Sequence, residues 1–231
     1  MEAEIVLAVF QIMILIMSIV IHEVSHGYAA LWLGDPTAKY AGRLTLNPIK
    51  HLDWWGSVFV PIIMITYFQF GFGWAKPVPY NPYNLKDQKN GPALVGLAGP
   101  ASNIALALFF GLCARFMPMA QMVKYDIASN IFNFSDLSLV FSGSLISILF
   151  WLCLIIVTIN VFLAFFNLIP IPPLDGSKLL FAFFPLKTEV KIILEQFGFV
   201  FLIMFMLLFS KPLGGALFAI LSLFMQYVIG L

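Results

Sequence analysis

Apolar residues follow one another along this chain in long uninterrupted blocks, without the polar-apolar alternation of half-buried strands or the polar stripe of surface helices. The first block covers residues 5–33 and stops at Gly34, Asp35 and Pro36, residue types that end helices. Such a length suits a tilted helix crossing a hydrocarbon layer of ~30 Å, which takes ~20 apolar residues. Residues 91–117 and 143–169 form two further clear blocks. Residues 191–209 and 213–231 form two more, and the sequence SKPLGG between them (residues 210–215) suggests the turn of a helical hairpin. Residues 57–72 are apolar but short, with Pro61 inside them, which suits either a short span or a segment that enters and leaves on one side. Residues 39–48 (KYAGRLTLNP) mix β-forming and polar positions around Gly42 and suggest a short strand or an irregular loop. The pattern predicts an all-α, multi-spanning membrane protein. About five full transmembrane helices, one re-entrant or short hydrophobic segment and a small strand-like loop would form a single membrane-embedded domain over residues 1–231.

Composition narrows the function classes. With 61% hydrophobic and 10% charged residues there is too little polar surface to clothe a soluble globule, so the lipid bilayer is the first expected partner. The net charge is +1 and the twelve basic residues are dispersed, which argues against nucleic acid. Cys113 and Cys153 lie inside apolar blocks without CxxC spacing, so they read as packing residues. The amino terminus lacks the basic region of a cleaved secretory signal, and the first block is expected to stay with the protein.

Chemistry concentrates in that first block, where His22, Glu23 and His26 occur in five residues as HEVSH. Ionisable groups are costly inside a membrane and mark function by default. Residues four apart share a helical face, so both imidazoles can reach one Zn²⁺, with Glu23 one step round the helix. There a carboxylate can take a proton from water whose pKa the metal has lowered toward ~7. A hydrolytic zinc usually has three protein ligands. The candidate for the third is Asp175, in the proline-broken segment NLIPIPPLDGSK (residues 167–178); it reads alternatively as the N-cap of a short helix beginning near Gly176. His51, in a loop beside Asp53, reads as structural or solvated.

Three ordered motifs, HEVSH, GLAGPASN (residues 96–103) and NLIPIPPLDG (residues 167–176), resemble the site-2 protease family of intramembrane zinc metalloproteases. LNPIKHLD and GWAKPVPYNP between them resemble its compact prokaryotic branch. The resemblance covers roughly residues 20–178. It implies that His22, His26 and Asp175 bind zinc, that Glu23 is the catalytic base, and that Asn167 helps to hold the substrate backbone or its developing oxyanion. No PDZ or CBS module is recognisable. Gly99, Pro100 and Asn103 read first as close helix packing, with small residues admitting a neighbouring backbone and an amide bonding across helices.

Ligands of one ion must meet at one depth, so the helix carrying HEVSH and the one ending before Asp175 must run the same way, with one full crossing between them. Residues 57–72 are then re-entrant. With that topology nine basic residues (Lys39, Arg43, Lys50, Lys76, Lys86, Lys89, Lys178, Lys187 and Lys191) share the zinc side against Arg115, Lys124 and Lys211. A cell-membrane protein with its active site toward the cytoplasmic face follows. The expected function is zinc-dependent endoproteolysis in or near the transmembrane helix of single-span membrane proteins. The alternative is a non-enzymatic metal-binding adaptor or a metal transporter, since His and Asp in membrane helices also mark ion pathways. An adaptor would tolerate loss of Glu23, whereas a transporter needs polar groups along a path and not at one level.

Overall fold

In the computed structural model, which describes residues 2–68, 73–131, 144–184 and 186–231, the apolar blocks are helices. Helix α1 (Glu2–Trp32) ends where Gly34 adopts φ 112°, a conformation open to glycine, and Asp35 N–H reaches back to Ala30 O at 2.8 Å. A four-residue turn, α2 (Thr37–Tyr40), follows it. Asp53 then caps a π-helical turn, Trp54–Phe59, by accepting from the N–H groups of Trp55 and Gly56, and the turn continues into α3 (Val60–Phe68). Next come α4 (Gly91–Arg115), α5 (Gln121–Ser129), α6 (Leu145–Asn167), α7 (Gly176–Phe183), α8 (Thr188–Leu208) and α9 (Ser210–Leu223), which runs into a π-helical turn, Phe224–Ile229. Five of these helices are long and apolar enough to cross a membrane.

Helix α6 is the centre of the bundle. Phe150, Trp151, Leu154 and Val157 are fully buried against Ala107 and Ala114 of α4, Leu7 of α1 and Ile229 at the chain's end. In lipid such packing is driven by close contact and not by exclusion of water, which favours small residues. Gly111 shows this: a Cβ there would stand 2.7 Å from Val228 Cγ1.

The register of the first three spans is fixed by polar contacts. Going along α1, Ser18 meets Asn160 of α6, His22 meets Asn103 of α4, and His26 meets Val95 of α4. Helix α4 is therefore antiparallel to α1, while α6 runs with α1 and delivers Asp175 to the depth of His22 and His26, as the common-depth argument requires.

Of the segment 57–72, residues 69–72 lie outside the described residues, but the positions that flank it meet. Trp74 N–H donates to Gly56 O at 3.0 Å and Ser57 Oγ to Trp74 O at 2.9 Å, so the chain returns to where it left. The helical part, Trp54–Phe68, rises only about 22 Å at 1.5 Å per residue, short of the hydrocarbon thickness.

Of the two readings of 39–48, the irregular loop is the one found: no strand occurs among the described residues, Gly42 turns at φ 63° just after α2 ends at Tyr40, and Asn47 caps a 3-10 turn at Pro48–His51. The hairpin at 210–215 is also absent, for α9 starts one residue after α8 ends, with Pro212 tolerated in its first turn. Gly214 lines a cavity with Leu15 and Phe162, whereas Arg115 donates to the carbonyls of Tyr227 and Val228. Helix α9 thus climbs toward Arg115, and Lys211 at its start does not lie beside Arg115 and Lys124 as expected.

Candidate metal centre and active site

HEVSH lies in the last third of α1, on the side that faces α4 and the turn after α6. His22 Nε2 and His26 Nε2 each stand 3.0 Å from Asp175 Oδ2, and all three side chains are buried. Among the described residues they form the one His/Cys/Asp/Glu group whose ligand atoms converge, all lying within 4.8 Å of one another.

The partners of the imidazoles decide what those atoms can do. His22 Nδ1 lies 2.6 Å from Asn103 Oδ1, and His26 Nδ1 lies 2.6 Å from Val95 O. Both partners are acceptors, so each Nδ1 carries the proton and each Nε2 presents a lone pair to the centre. The amide of Asn103 is itself oriented, because its Nδ2 donates to Asn160 Oδ1 at 2.7 Å, and Asn160 donates to Ser18 Oγ at 2.9 Å and to Ile156 O at 2.8 Å. Two imidazole lone pairs and a carboxylate oxygen converging in a buried place repel one another unless a cation lies between them. The donor set, two nitrogens and one carboxylate oxygen, suits Zn²⁺.

Asp175 reaches the centre because the helix breaks. Pro170, Pro172 and Pro173 prevent α6 from continuing, and a Cβ at Gly176 would stand 2.3 Å from Leu168 O, so only glycine closes this turn. Asp175 occupies the N-cap position of α7, yet its carboxylate caps nothing there; it faces the histidines and accepts from Lys178 Nζ at 2.8 Å. Burial alone would push Lys178 down, but the charge and hydrogen bond of Asp175, with Tyr80 and Glu23 farther out, hold its ammonium above the usual range.

Glycine is required again on α4, where a Cβ at Gly99 would stand 2.5 Å from both His22 Nε2 and His26 Nε2. The packing read into GLAGPASN is therefore packing against the two histidines. Asn103 does bond across helices, and its partner is His22; the sequence carried no signal of that partner, nor of Asn160 or Ser18.

Glu23 is half-buried, and its Oε2 accepts from Val78 N–H at 2.8 Å. Asn167 is not drawn into the cluster: it is half-buried in the last turn of α6 and one amide hydrogen goes to Leu163 O in its own helix. His51 is fully buried, with Nε2 2.9 Å from Thr45 O and its own carbonyl accepting from Lys76 N–H, a structural position away from the metal cluster.

Two imidazoles and a carboxylate converging at one level of a helical membrane bundle fit the class of membrane-embedded metalloproteins. The sequence pattern of peptidase family M50 matches residues 10–205. The chain is 37% identical over 207 residues to "Putative zinc metalloprotease YwhC" of Bacillus subtilis (strain 168), covering 89% of this chain and 82% of that one. It is also 28% identical over 214 residues to "Putative zinc metalloprotease Rip2" of Mycolicibacterium smegmatis, covering 92% and 71%. No solved structure matches. The chain belongs to peptidase family M50, the site-2 protease family, and is a multi-pass, zinc-dependent metalloendopeptidase of the membrane.

Proposed function

We propose that this protease cuts single-span membrane proteins in or near their transmembrane helix, in regulated intramembrane proteolysis or in clearance of membrane remnants, with zinc on His22, His26 and Asp175 and with Glu23 as base. The observation that carries this reading is the convergence of His22 Nε2 and His26 Nε2 on Asp175 Oδ2, 3.0 Å from each. Bound there, zinc supplies Lewis-acid polarisation of the scissile carbonyl and lowers the pKa of water toward ~7. Asn103 and the Val95 carbonyl keep both imidazoles in the ligating tautomer. Glu23 takes the proton of the attacking water on a carboxylate oxygen and delivers it to the leaving amine. Asn167, which ends α6 eight residues before Asp175, has a second amide hydrogen and its Oδ1 to offer a substrate backbone or oxyanion.

The cytoplasmic placement of the site rests on charge. Nine basic residues belong to the zinc side of the topology, with Arg115 and Lys124 across from them. The meeting of Gly56 with Trp74 supports the re-entrant topology that gives this division.

Glu23→Gln tests the reading, because the amide keeps the size of the side chain but cannot accept the proton. Zinc should remain bound, while cleavage of a co-expressed single-span substrate should fall by at least the ~10² to 10⁴ typical of a lost general base. Cleavage at the wild-type rate would overturn the mechanism.

A further inference from the structure

Residues 77–79 read Pro-Val-Pro, so three successive positions contain a single backbone N–H, and that one is spent on Glu23 Oε2 at 2.8 Å. Prolines on both sides hold the segment extended and remove every competing donor. The segment is pinned on each flank. Upstream, Lys76 N–H donates to His51 O at 2.9 Å and Lys76 O accepts from Arg43 Nη2 at 2.7 Å. Downstream, Asn81 N–H and Asn84 Nδ2 donate to the buried carboxylate of Asp35 at 2.6 and 2.9 Å. The Val78 side chain is buried against α1 one turn beyond Glu23, at Gly27, where a Cβ would stand 2.9 Å from Val78 Cγ1.

We infer that the backbone N–H of Val78 is the positioning donor for the catalytic base: it holds Glu23 Oε2 and so fixes the plane of the carboxylate, leaving Oε1 to take and return the proton. This rests on Glu23 being the base, as proposed above. A glutamate on one helix face has three free torsions, and a hydrogen bond to the ionised carboxylate selects among them. Misplacement of a reacting group by ~1 Å can cost ~10² in rate. Arg43, His51 and Asp35 act through the strap of residues 74–84 that carries this N–H.

The test exchanges Val78 in the full-length chain for its hydroxy-acid analogue, which puts an ester oxygen in place of the N–H and keeps the side chain. It is measured beside wild type and beside Glu23→Gln. The ester should lower kcat by about tenfold to a hundredfold relative to wild type, with KM and zinc content unchanged. If the ester chain does not fold, Gly27→Ala displaces Val78 by another route and should also lower kcat with zinc retained. An ester, or failing that a Gly27→Ala variant, as active as wild type would overturn the inference. So would loss of zinc along with kcat, since the strap would then serve the metal. Wild-type cleavage by Glu23→Gln would overturn the base assignment and this inference with it, an outcome distinct from an active ester beside an inactive Glu23→Gln.

Discussion

His22 and Glu23 are neighbours on one helix, yet their surroundings are built by different means. The imidazole is oriented by side chains from other spanning helices, through the buried chain Asn103, Asn160 and Ser18. The carboxylate is oriented by the backbone of a proline-rich loop. In the first region every polar group is removed from water, so deleting one link leaves its partner unsatisfied at a cost of ~1–3 kcal/mol. In the second, the ties are hydrogen bonds of a surface loop, a kind of structure that opens more readily than a packed helical core. Metal binding should therefore be close to all-or-none with respect to its proposed ligands, while the orientation of Glu23, the proposed base, should respond in degrees to changes in the loop.

The largest effect that could break this contrast is at Asp175. Asp175→Ala should abolish cleavage and strongly reduce zinc in metal analysis of the purified chain, since two imidazoles remain. Undiminished zinc would remove Asp175 from the ligand set. A smaller effect separates orientation from ligation: Asn103→Ala strands His22 Nδ1–H and the Asn160 carbonyl, and zinc affinity measured by chelator competition should fall by about tenfold to a hundredfold. Unaltered affinity would reduce Asn103 to helix packing.

The smallest effect belongs to the loop region. Burial alone would raise Asp35, but the hydroxyl and N–H of Thr37, the N–H of Asn81 and the amide of Asn84 hold its carboxyl below the ordinary range. A lowered folded-state pKa gives stability that is complete above the unfolded value of ~3.9 and is lost as pH falls through the folded one. The difference in Tm between wild type and Asp35→Asn should thus be constant from neutral pH to about pH 5 and narrow below about pH 4. A pH-independent difference would mean that Asp35 contributes shape and not charge.

How much of this was legible in the sequence follows the same division. HEVSH and Asp175 could be read because ligand spacing on a helix and a proline-broken turn are local features. Asn103 could not be read beyond packing, since its partner lies 81 residues away and an amide gives no sign of which group it will meet. The residues around Leu44 to Leu46 left a strand and an irregular loop open, and the loop forms because Gly42 and Asn47 turn the chain and the Thr45 carbonyl faces His51. The SKPLGG turn misled because Pro212 falls in the first turn of α9, where a missing N–H costs little. His51 was read as structural or solvated and is buried, in contacts with Arg43, Thr45 and Lys76 that no local pattern encodes.

X-ray absorption at the zinc edge of the purified full-length protein bears most directly on the proposed centre. Two imidazole nitrogens at ~2.0–2.1 Å and a carboxylate oxygen at ~2.0–2.2 Å are expected, with the zinc signal largely lost in His26→Ala. A thiolate shell near ~2.3 Å, or an undiminished zinc signal with the same spectrum in His26→Ala, would contradict a zinc held by His22, His26 and Asp175.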